Sequence, residues 1–300
     1  MIINSYKQDN GLLEGTIYDS DLGFYQIGLN LMREEAELFD MFTLYDIQNL
    51  NVIDESSVIT SNRNTIMKII DKIITIVSNF IREFRILFNK SIAKSKLLIL
   101  QKLNQIESNR NKIKDNNGDH MVNVKYMNDT DLQKLDTVHN HLYTILSDFG
   151  AYIHNNVIFN QGNTNISLDE LNRDEEHRQN EIKNIIGYDN MSDIVSEFVK
   201  ERQFKLPSEI NELKALSEKH VKHTIQFGNY FDRIEKEFKY YRNDLNELRN
   251  KNDIDINSLN VIFMKMNRNL NFAHIVEGGI MKSISSCTES QIDAINRAYL

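Results

Sequence analysis

The chain has 300 residues, a formal net charge of −8, one proline and 11 glycines. Average usage would supply about 15 prolines and about 21 glycines, so the turns of a sandwich, barrel or propeller have few residues to build them. All-β folds and proline-rich linkers are excluded, and 41% hydrophobic residues suffice for the core of one large helical domain or two modest ones. The charge is segregated: residues 1–61 carry 2 basic and 11 acidic side chains, residues 62–115 carry 12 and 4. Such a basic block selects an acidic partner, either the chain's own N-terminal block or an external anionic surface. The single Cys287 has no partner for an intrachain disulfide. The opening MIINSYKQDNGLLEG shows no secretory leader.

Residues 1–20 lack periodicity and read as an irregular arm. From Asp21, Leu22, Tyr25, Leu29, Met32, Ala36, Phe39 and Leu44 follow a 3.6-residue period to about Asn49, with Glu34, Glu35, Glu37 and Asp40 on the outer face. LNVIDESSVITS at 50–61 reads as a linker, and Asn62 or Asn64 can cap a helix starting there. That helix has the strongest pattern in the chain. Ile66, Ile69, Ile70, Ile73, Ile74, Val77, Phe80, Ile81, Phe84, Leu87 and Phe88 make one wide apolar stripe opposite Lys68, Lys72 and Arg82. No charge-free run there is long enough to span a bilayer. The helical signal continues to about Lys114, with a break near Lys90-Ser91, as a rod of about 75 Å that does not fit inside a compact domain.

After a turn at 115–128, Asn128 or Asp129 opens a helix carrying Leu132, Leu135, Val138, Leu142, Ile145, Leu146, Phe149 and Ile153. Ser167 with Glu170 forms a capping box, and Gly187 fits the left-handed position that ends a helix. A short helix at 191–204 precedes Pro207, which opens a helix reaching about Asn250. Its Phe227, Phe231, Ile234, Phe238, Tyr241, Leu245 and Leu248 alternate steps of four and three, a coiled-coil seam that turns polar backwards through Thr224, His220 and Ser217. Two helices, 257–283 and 289–299, close the chain, the last opened by Thr288 and Gln291. The organisation is an acidic arm and helix (1–61), a basic amphipathic helix (62–115) and a C-terminal bundle (116–300) with its coiled-coil segment at 208–250.

No chemical motif stands out. His139 and His141 point about 200° apart on a helix and do not chelate one ion together. His220 and His223 are neighbours, but no third ligand stands in a recognisable relation to them. Asp253, Asp255 and Asn257 imitate an EF-hand start, but Ser258 and Met264 stand where Gly and a bidentate Glu are needed. Phosphate and dinucleotide loops are missing; Gly278-Gly279 reads as a kink or close packing. The residues point to no catalytic site, metal or cofactor. The basic helix lacks the dense Lys/Arg stripe that nucleic acid demands. Its large moment allows peripheral membrane contact, although core burial is the commoner fate of such a stripe.

The junction of the first two helices carries a resemblance. GLNLMREEAELFDMFTLYDIQNL, the connector NVIDESSVITSNRN and TIMKIIDKIITIVSNFIREFRILFNKSIAKSK resemble, over residues 22–100, the layout of helical virion proteins of large tailed bacteriophages of Gram-positive hosts. The resemblance implies a non-enzymatic structural component, found in the virion and in the host cytoplasm during assembly, with other virion proteins or further copies of itself as partners. The expectation is an elongated all-α bundle. Ile66, Ile70, Ile73, Val77, Phe80, Phe84, Phe88 and the seam from Phe227 to Leu248 would be assembly surfaces, and Glu34, Glu35, Glu37 and Asp40 would face the basic helix or a neighbouring subunit. The alternative is a membrane-active or ejected protein using residues 66–88.

Overall fold

The computed structural model describes residues 55–108, 120–158, 167–187, 191–206, 208–251 and 256–298, with scattered positions between 26 and 41. In chain order it runs α1 (Glu55–Phe88), a π-helical turn (Asn89–Ala93), α2 (Lys94–Ser108), β1 (His120–Tyr126), α3 (Asp129–Tyr152), a second π-helical turn (Ile153–Ile158), α4 (Leu168–Ile186), α5 (Met191–Phe198), β2 (Lys200–Leu206), α6 (Ile210–Leu248) and α7 (Ile256–Arg297). The fold is an all-α bundle with one small antiparallel two-stranded sheet.

The helix ends obey local chemistry. Asn128 accepts the Asp131 N–H and Asp131 accepts the Asn128 N–H, a reciprocal capping box on α3. Ser167 Oγ accepts the Glu170 N–H at 3.1 Å at the start of α4. Gly187, at φ 62°, closes α4 in the left-handed region and donates its N–H to the Lys183 carbonyl.

α6 is the spine. Along α1 and α2 its partners run backwards: Arg249 pairs with Asp71, Glu235 and Asp232 with Arg85, and Lys214 with Glu107. Between these, Phe88 stacks on Phe231 at 4.0 Å. Along α3 they run forwards: Gln226 and Tyr230 donate to Asp136, and Tyr241 donates to the Leu146 carbonyl. α6 therefore lies antiparallel to α1–α2 and parallel to α3. Most of the apolar stripe of α1 and the seam of α6 belong to one core with α3, α4, α5 and α7. A second cluster fills the space between the sheet, α2 and the ends of α6 and α7: Ile99, Leu103, Val122, Val124, Phe204, Leu206, Leu213 and Ile295.

Several expectations change. Residues 55–61 are helical, so Asn62 and Asn64 lie inside α1 instead of preceding it, and the boundary at 61/62 falls within a helix. The break near Lys90-Ser91 is a π-helical turn, which keeps Ser91, Ser95, Ile99 and Leu103 on the inner face. The rod packs into the fold along α6 instead of projecting from it. Part of the turn at 115–128 is β1, and the helix at 191–204 stops at Phe198, where Val199-Lys200 leads into β2. Val122, Val124, Phe204 and Leu206 alternate inward on the two strands, a period-two signal too short to stand out beside long helices. The last two helices are one, α7, with Thr288 in its interior donating to the Ile284 carbonyl. Pro207, Asp253 and Asp255 lie outside the described residues.

Candidate functional site

The positions expected at assembly surfaces are turned inward. Ile70, Ile73, Val77, Phe80 and Phe84 on α1, and Phe227, Phe231, Ile234, Phe238, Tyr241, Leu245 and Leu248 on α6, are buried within the chain itself, while Ile66 and Phe88 are partly buried against the same core. Phe80 meets Phe238 edge-on, Phe84 meets Phe231, and Tyr241 meets Phe149. The α6 seam therefore faces α1 and α3 together, because three helices share it. The chain itself supplies a partner for these stripes, which lie inside its own core. Of the acidic face, Glu37 pairs with Lys72 at 2.7 Å, an ion pair that holds its carboxyl below the ordinary value. Glu34, Glu35 and Asp40 lie outside the described residues.

Cys287 and four histidines are buried in the packing, whereas His120, His154 and His177 are exposed. Cys287 is fully buried, and burial pushes its thiol up to about 12. His220 lies buried between α6 and α7 with Nε2 2.9 Å from Thr288 Oγ1; burial lowers its pKa to about 3. His223 is lowered to about 4, again chiefly by burial. His139 Nδ1 contacts the Leu135 carbonyl at 2.8 Å, its ring stacks on Tyr230, and Nε2 lies 3.0 Å from Glu277 on α7. His141 points elsewhere, to Glu181 on α4, as the helical spacing requires. Among the described residues no three ligand-type side chains converge as a metal site. Sequence reasoning missed Glu277; its one signal is a carboxylate on the inward phase of α7.

A cleft of about 610 Å³ opens between α4 and α7, lined by Asn172, Glu175, Gln179, Lys265, Arg268 and Phe272 among others. On its wall Lys265 pairs with Glu175 and donates to Asn172 Oδ1 at 2.8 Å, while Gln179 donates to Glu175. Lys265 and Glu175 are both buried and pair with one another, so a structural bridge between α4 and α7 forms this wall of the cleft.

Several apolar side chains remain at the surface near α1 and α2. Leu29, Met32, Ile86, Leu97, Leu100 and Ile225 are six of the ten large hydrophobics exposed among the described residues. Ile86, Leu97 and Leu100 lie on the outer face of α1 and α2. Leu29 and Met32 flank α1, along which Asn30 reaches Glu83 and Glu37 reaches Lys72. Ile225 belongs to the part of α6 lying between the Phe88–Phe231 and Glu107–Lys214 contacts, alongside α2. This ridge is the candidate interface. No family model, no curated protein and no solved structure matches the chain.

Proposed function

We propose that the chain is a non-enzymatic structural component of a bacteriophage particle, contributing a rigid helical body to an assembly of other virion proteins or of its own copies. The layout of residues 22–100 motivates the virion setting. The observation that supports the structural reading is the burial of Cys287, His139, His220 and His274, with structural partners for His139 and His220. An active site needs such groups at a cleft; here His139 and His220 tie helices together. The stripes of α1 and α6 are consumed internally, so assembly proceeds through other surfaces. Mass spectrometry of purified particles tests the reading, with the chain expected at a fixed copy number; its absence from washed particles overturns it.

A further inference from the structure

From Phe84 to Ile106 the chain carries Arg85, Lys90, Lys94, Lys96 and Lys102 and no carboxylate. The outer face of this stretch is exposed at Arg82, Ile86, Lys90, Ala93, Leu97, Leu100 and Asn104, while Phe84, Leu87, Ile92, Ile99 and Leu103 point inward. The helix thus has an apolar face that completes the core and a mixed outer one, on which Ile86, Ala93, Leu97 and Leu100 stand among Arg82, Lys90 and Asn104, with Glu83 beside Arg82 at its start. Arg85 is committed to Asp232 and Glu235, whereas Lys90 and Lys96 make no ion pair among the described residues. The exposed leucines sit between cations, Lys90 and Lys94 before them and Lys96 and Lys102 beside and after.

We infer that the ridge formed by residues 82–104, with Leu29, Met32 and Ile225 beside it, docks on an anionic lipid surface. A helix lying in the plane of a bilayer buries its apolar row at the acyl boundary and sets lysines among the headgroups on either side. The ridge offers that combination on the outside of a bundle, where no other described helix covers it. A protein partner of matching character would need an apolar groove rimmed with acids, whereas an anionic bilayer supplies both properties over any length. No described helix is long and apolar enough to cross a membrane, so the contact is interfacial. The membrane-facing element is therefore not the 66–88 stripe, which faces the core, but the opposite side of the same helix and its continuation into α2. Docking of this kind does not depend on the virion setting.

Flotation of the full chain with vesicles tests it, using phosphatidylcholine alone and a 70:30 mixture with phosphatidylglycerol as stated compositions. The chain is expected to float with the anionic vesicles and to stay behind with neutral ones. Each lysine near such a surface is worth about 1 kcal/mol, or about fivefold in affinity. Lys90→Gln with Lys96→Gln should therefore weaken binding about 25-fold and make the remaining binding less sensitive to salt. Leu97→Asp with Leu100→Asp should abolish flotation, while Met264→Asp, at an exposed position on α7, leaves it unchanged. Circular dichroism melts should match wild type for every variant, since the replaced side chains lie outside the core. Absence of flotation with anionic vesicles overturns the inference, whatever protein the ridge meets; so does binding that survives the double leucine replacement or is equal on neutral vesicles.

Discussion

Glu277 of α7 lies 3.0 Å from His139 of α3, and both side chains are almost wholly enclosed by the bundle. Because a carbonyl only accepts, the Nδ1 that faces Leu135 carries a hydrogen, which leaves Nε2 turned to the carboxylate. A neutral imidazole would set a bare nitrogen against a carboxylate oxygen in the core. The arrangement is favourable when Nε2 also holds a proton, making a charge-paired bridge between two helices far apart in sequence.

The bridge makes stability pH-dependent in a defined sense. Burial alone would push the His139 imidazole down, but the Glu277 carboxylate, helped by the Leu135 carbonyl and Asp136, holds it above 6.5. Tyr230, stacked on the ring from α6, adds no charge near neutral pH, since burial raises its phenol. A histidine whose folded-state pKa is raised stabilises fully below its unfolded value near 6.5 and loses that contribution as pH rises through the folded value. Glu277→Gln should cost about 3–5 kcal/mol near pH 6 by stranding the buried imidazole. Thermal melts from pH 5.5 to 9 should show the gap to wild type narrowing toward alkali; a constant gap contradicts the assignment.

His220 acts with the opposite sign. Its folded pKa, about 3, lies below the unfolded value, so stability is full above pH 6.5 and falls as acid protonates the unfolded chain first. At about 1.4 kcal/mol per pKa unit, the loss approaches an order of 5 kcal/mol by pH 3. His220→Gln should flatten this acid limb in urea titrations between pH 6.5 and 4, keeping a polar partner for Thr288. An unchanged slope would remove His220 as its source.

Two glycines on long helices predict opposite outcomes. A Cβ on Gly279 would lie 2.7–2.9 Å from Ile194 on α5, with Cβ of Ile194 itself at 2.8 Å. Gly279→Ala should destabilise by about 1–3 kcal/mol, and Ile194→Ala should rescue it only partly, since the offending Cβ remains. A Cβ on Gly228 would meet only Phe88 Cζ at 3.7 Å, so Gly228→Ala should stabilise by about 0.5–1 kcal/mol. Chemical denaturation of the two single variants decides both signs.

The Lys265–Glu175 bridge separates charge pairing from packing. Glu175→Gln should cost about 3–5 kcal/mol, because it leaves a buried ammonium facing an amide. Replacing both residues together, Lys265→Met with Glu175→Leu, should come within about 1 kcal/mol of wild type or exceed it. Hydrogen exchange at the amides of α4 reports the change locally. Equal losses in the single and double replacements would show that the side-chain stems, not the charges, hold α4 to α7.

Much of this architecture was legible in the chain. Asn128, Ser167 and Gly187 mark helix ends through bonds made within a few residues, so their sequence context is sufficient. The stripe from Ile69 to Phe84 and the seam from Phe227 to Leu248 fix which face of each helix is buried, because 3.6-residue periodicity is a property of one helix alone. The strands were not legible: Val122, Val124, Phe204 and Leu206 form a single apolar layer only after residues about 80 apart pair. Nor was the single helix α7, where the Thr288–Gln291 spacing imitates a helix start that tertiary packing overrides.

One proline and 11 glycines determined the class, long helices with one-sided apolar faces. What covers those faces was decided only in three dimensions. The stripes of α1 and α6 meet each other because α6 runs antiparallel to α1 and parallel to α3, and no periodicity within one helix records the direction of its neighbour. The same packing encloses Cys287 and His139 and leaves Leu97 and Leu100 exposed. Sequence assigns each residue a face; the bundle decides which faces are inside.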